Sequence, residues 1–94
     1  MLHEERSKLK DKTQDLKRAI VSLKEELEAV DWYNQRADAC GDDNLRKILL
    51  HNAKEEKEHA AMIMEWLRQN DEEFAKEMKD YLFSKESDIT SLEE

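Results

Sequence analysis

A proline-free chain whose one glycine stands at position 41 of 94 has few ways to fold. Proline and glycine are the residues that most readily end or kink a helix, so the stretches on either side of Gly41 are free to run as long uninterrupted helices. Before the glycine, Leu9, Leu16, Ile20, Leu23, Leu27, Val30, Tyr33 and Ala37 recur in steps of three, four or seven, the spacing of one helical face. After it, Leu45, Leu49, Asn52, His59, Ile63 and Leu67 gather around Glu56 on a second face, and Met62, Met64 and Trp66 read as core or interface. The first helix is expected to stop near Cys40, with Gly41 in the left-handed conformation and Asp42 or Asp43 capping the next helix. So short a turn makes the two helices an antiparallel hairpin.

The rest of the chain adds less. A break at Gln69–Asn70–Asp71, followed by Phe74, Met78, Tyr81 and Leu82, predicts a short third helix capped by Asp71 and docked on another subunit. Met1–Lys10, with a solvated His3, reads as a mobile start. Ser84–Glu94 reads as a polar tail or linker, giving a helical domain over 1–83 and a tail over 84–94. The fold class is all-α.

Composition excludes several functions. A formal net charge of −8 argues against nucleic acid and anionic membrane as partners, and it concentrates cations at the surface. No apolar run approaches the ~18 residues of a membrane span, and the charged first ten residues are unlike a secretory leader. The lone Cys40 fits a reducing cytoplasm. With 43 % charged residues the chain is too polar for a thick private core.

Two carboxylates break the pattern. At ~100° per residue, Glu56 lies within about 60° of all six residues of the second face, whereas Glu55 and Glu58 point away. On the first helix, Glu26 shares its face with Ala19, Leu23, Val30, Tyr33 and Ala37, while Glu25 and Glu28 do not. A carboxylate on an apolar face costs several kcal/mol unless a proton, a hydrogen-bond partner or a cation meets it. In a hairpin centred on Gly41, residues whose numbers add to about 82 share a level, and Glu26 and Glu56 do. Each lies fifteen residues from the glycine, ~22 Å along its helix, and His59 is less than a turn away.

One chain therefore offers a Glu and a Glu-x-x-His pair at one height. Di-iron four-helix bundles use a Glu from each of two helices and Glu-x-x-His from each of the other two, so the hairpin holds half of such a set. It also holds half of a bundle, because two helices leave apolar face uncovered. Pairing with a second copy about a two-fold axis completes both, giving a ferritin-like four-helix bundle with four Glu and two His around two metals. Oxygen-rich ligands with one imidazole per metal suit iron or manganese better than structural zinc.

Beyond spacing, the runs Ala19–Ile20–Val21–Ser22, Glu25 to Arg36, His51–Asn52, Glu55 to Met62, Glu65–Trp66–Leu67 and Tyr81–Leu82–Phe83 resemble the encapsulated ferritins over about residues 13–83. That resemblance implies iron-oxidising cargo of an encapsulin compartment in the cytoplasm, built of helical hairpins that pair around a di-iron centre and assemble as a ring-shaped decamer. It implies Glu26, Glu56 and His59 as the ligands of that centre and Tyr33 as its neighbour. Glu25, Glu28 and Trp32 match an outer site that attracts metal and passes it inward, where other divalent cations are also accepted. Lys24 departs from the apolar residue found in related sequences. No encapsulation peptide is evident in the tail, so targeting is expected to come from a removed signal or from fusion with a shell.

The function expected is that of a ferroxidase, with two Fe per subunit pair and oxygen or peroxide as the oxidant. Two rivals remain open at this stage. One is a metal-independent helical interaction module with Glu26 and Glu56 protonated or hydrogen-bonded, and the other is a site that buffers metal without turnover.

Overall fold

The computed structural model describes residues 1–94, and all of its regular structure is helical. Helix α1 spans Asp11–Ala39, α2 spans Asp43–Asn70 and α3 spans Glu72–Tyr81, with 3₁₀ turns at Arg6–Lys8 and Ile89–Glu93. Helices α1 and α2 form the antiparallel hairpin, and the molecule measures 49 × 40 × 20 Å.

The turn is built differently from the expectation. Gly41 has no positive φ, and Cys40 and Asp42 on either side are extended, so no left-handed cap ends α1. The exposed backbone groups are met by side chains instead. Arg46 Nη2 donates to the Cys40 carbonyl at 2.5 Å, and Leu45 N donates to Asp42 Oδ1 at 2.8 Å. Arg46 thus does the carbonyl-capping that a left-handed glycine usually provides. At the other end of α2, the extended Asp71 both closes that helix and caps α3, accepting from Phe74 N at 3.0 Å.

The start of the chain also differs from the mobile segment expected. It folds back along α1, with Lys17 Nζ donating to the Met1 carbonyl at 3.2 Å and Leu2 and Leu9 half-buried. In the tail, the 3₁₀ turn at Ile89–Glu93 packs against α3. The one non-glycine residue with positive φ is Phe83, at 60°, and its ring is fully exposed.

Where the core sits decides what the fold can do. Only Ala37, Ala53, Ala60 and Leu67 are buried. Ala53, Ala60 and Leu67 are seven apart, as are Leu16, Leu23, Val30 and Ala37 on α1, which is the repeat of a coiled-coil seam. Alanines at the contact let the helices approach closely. Outside that seam, Ile20, Leu27, Leu45, Ile48 and Met62 each keep about half of their surface in solvent.

Candidate metal centre

Glu26 comes from the middle of α1, and Glu56 and His59 from the middle of α2. The antiparallel hairpin brings them together, so that one donor atom from each lies within 4.8 Å of the others. His59 Nδ1 is 3.5 Å from Glu26 Oε2 and 3.6 Å from Glu56 Oε2. Those separations suit charge attraction but are too long for hydrogen bonds. Glu26 Oε2 is therefore buried with no hydrogen-bond partner.

An unpaired buried carboxylate oxygen is costly, and the cost falls if a cation shares the space. Two carboxylates and an imidazole converging on one point form a donor set of that kind, suited to a divalent transition metal with oxygen preference. The side chains are partly covered rather than sealed: Glu26 is 25 % exposed, Glu56 24 % and His59 43 %. Helical geometry shows why. Measured from Glu56 at ~100° per residue, Ala53, Ala60 and Leu67 lie to one side and His59, Ile63 and Leu45 to the other. The first three are buried against α1, whereas the second three remain partly exposed. The three ligand candidates thus stand on the border between the closed seam and an uncovered flank.

The remaining residues singled out in the sequence stand apart from this trio. Tyr33 is half-buried two turns along α1 from Glu26, with the Arg36 guanidinium 5.4 Å from its ring centre. Glu28 lies 3.8 Å from Lys24 Nζ, Glu25 is exposed, and Trp32 borders a shallow hollow with Gln35 and Arg36. Within one chain, Glu25, Glu28 and Trp32 form no metal-ligand cluster. On α2, the exposed His51 and the half-buried Glu55 form a separate pair at 3.4 Å. No helix is long and apolar enough to cross a membrane.

A solved structure shares this arrangement of chain, and curated relatives share its sequence. A crystal structure of a Nitrosomonas europaea protein superposes with a TM-score of 0.88 and 56 % identity, over 93 % of this chain and 96 % of that one. An encapsulated ferritin-like protein of Rhodospirillum rubrum is 56 % identical over 91 residues, covering 97 % of this chain and 64 % of the relative. A ferritin-like-encapsulin shell fusion protein of Pyrococcus furiosus is 38 % identical over 78 residues, or 83 % of this chain and 21 % of the fusion. The chain therefore spans less than two thirds of either relative's length. A family profile described as EncFtn-like matches residues 1–85, and with the identities above it makes the chain a member of the EncFtn-like family.

Proposed function

We propose that the protein is a ferroxidase whose substrate, Fe(II), is oxidised between two copies of the chain. The observation that carries this reading is the buried, unpartnered Glu26 Oε2 beside Glu56 and His59. Two copies meeting along the uncovered flank would bring two such trios together, with four carboxylates and two imidazoles for two irons. Each Fe(II) gives up one electron, and one O₂ takes two electrons and two protons to leave as hydrogen peroxide; peroxide can also serve as the oxidant.

The residues of the chain divide the work. Glu26, Glu56 and His59 hold the substrate metal, and their negative charge favours the Fe(III) product's higher charge. Tyr33, on the same face of α1 as Glu26, stands two turns along as the centre's aromatic neighbour. Glu25, Glu28 and Trp32 form the outer approach, where Fe(II) and other divalent cations collect before moving inward. The paired hairpins belong to a ring-shaped decamer, with residues 1–83 as the working domain and 84–94 as its tail. The similarity to an encapsulated relative and to a ferritin-like domain fused to a shell supports release of Fe(III) inside an encapsulin compartment.

Anaerobic titration with Fe(II), followed by stopped-flow mixing with oxygen and with mass recorded at each iron ratio, tests the reading. Saturation near one iron per chain, rapid oxidation and a metal-stabilised assembly are expected. Binding without continuous oxygen consumption would make the centre a buffer. No binding at all would leave the hairpin a metal-independent interaction module.

A further inference from the structure

Where the start of the chain folds back on α1 it forms a half-open cavity of about 350 Å³. Arg6, Lys17 and Arg18 line it, with Ser22 alongside and Leu2 and Val21 as an apolar wall. No acidic residue is among its lining, which is unusual in a chain of net charge −8. The positive charges are largely uncompensated. Lys17 Nζ donates to the Met1 carbonyl and Arg6 Nη1 to Gln14 Oε1, both neutral oxygens. Only Arg18 has an acidic partner, Asp15 at 2.6 Å, and Asp15 lines the neighbouring groove rather than this cavity. The Met1 amine is held below its ordinary pKa first by hydrogen bonding with the Lys17 side chain and then by that side chain's charge.

We infer that this cavity binds a phosphate-type oxyanion, held between the Arg6 guanidinium and the Lys17 ammonium with Arg18 closing the inner side. Guanidinium and ammonium donors from separate elements match the tetrahedral oxygens of phosphate, and with no carboxylate in the lining Arg6 and Lys17 have only neutral acceptors to exchange for it. The volume exceeds that of a bare phosphate, and the Leu2 and Val21 wall leaves room for a small organic group on a phosphate monoester.

The location gives the site a consequence. Arg18 and Ser22 also line a groove of about 700 Å³ that Glu26 borders, so two side chains are shared between the cavity and a groove that includes one residue of the candidate metal centre. Binding itself requires no metal and stands apart from the ferroxidase reading.

Isothermal titration of the metal-free full chain with inorganic phosphate in chloride buffer, with ³¹P line widths as a second readout, tests the inference. Saturable binding at one phosphate per chain is expected. Arg6→Gln and Lys17→Gln should each weaken it at least tenfold with unchanged circular dichroism, and Lys17→Arg should restore it. Absence of saturable binding, or equal binding in the Arg6→Gln/Lys17→Gln double variant, overturns the site. Glycerol 3-phosphate serves as the second probe. Tighter binding than phosphate assigns the cavity to an organic monoester, and equal or weaker binding assigns it to the free ion.

Discussion

The two sides of the hairpin's apolar face have been given opposite treatment. On one side Ala53, Ala60 and Leu67 are sealed against α1. On the other, roughly a turn's width away, Leu45 and His59 stand partly in solvent, as does Ile63. The closed side makes the hairpin, and the open side has no counterpart in the same chain. Glu26 and Glu56 sit between them, where a carboxylate keeps one edge in the seam and offers the other to whatever covers the flank.

Removing a ligand should produce the largest effect, and it should do so without touching the closed side. Glu56→Ala or His59→Ala is expected to slow Fe(II) oxidation by roughly a hundredfold or more, while circular dichroism shows the helices intact. Wild-type oxidation in either variant would remove the centre from the border altogether. Next comes the contrast between the sides. Leu67→Ala should cost about 3 kcal/mol by leaving a cavity in the seam, with the assembled mass unchanged. Ile63→Asp places a charge on the open flank, so its loss should appear as a smaller particle by sedimentation and a melting temperature less dependent on protein concentration. The reverse pattern, a smaller particle from Leu67→Ala and none from Ile63→Asp, would mean that the flank is not where copies meet.

The turn supplies a smaller test on neutral ground. Gly41 has no positive φ, and an added Cβ would meet nothing within 4 Å. Gly41→Ala should therefore stabilise the protein by about 0.4–1 kcal/mol, by restricting the unfolded chain. A loss of similar size would show that the turn needs the left-handed conformation after all, and urea unfolding resolves either sign.

That position also shows what the sequence could and could not disclose. The levels of Glu26 and Glu56 were readable because helical rise is constant and one break sits midway between them. Asp71 as a cap was readable from residue type and place, and the cap of α2 was readable only as Asp42 or Asp43. The conformation of Gly41 was not, because it depends on a side chain six residues after Cys40, where Arg46 reaches back to that carbonyl. Nor could periodicity say which part of a wide apolar face would be sealed. Leu45 and Leu67 look alike at ~100° per residue, and only the close approach permitted by Ala53 and Ala60 separates them. The folded-back start is not legible in the sequence, because only Met1 and Leu2 laid against α1 bring Arg6 and Lys17 to one cavity.

The smallest effect belongs to a carboxylate on neither side. Glu65, on the outer surface of α2, accepts from Arg68 Nε at 2.5 Å, Arg68 Nη2 at 2.7 Å and Gln69 Nε2 at 2.8 Å. Those hydrogen bonds, Arg68's first and Gln69's second, lower its pKa from 4.5 to about 2. A folded-state pKa below the unfolded one means that the ionised form is favoured by folding, so this contribution is complete above about pH 4.5 and disappears as pH falls toward about 2. Solvent exposure and screening by salt keep it modest. Melting temperatures recorded from pH 6 to pH 2 should fall slightly less steeply in Glu65→Gln than in wild type, and the difference should shrink in high salt. Glu26 and Glu56 have no such donors of their own, and adding metal should change nothing in the Glu65 comparison; if it does, the outer surface of α2 is coupled to the centre and the division into independent sides fails.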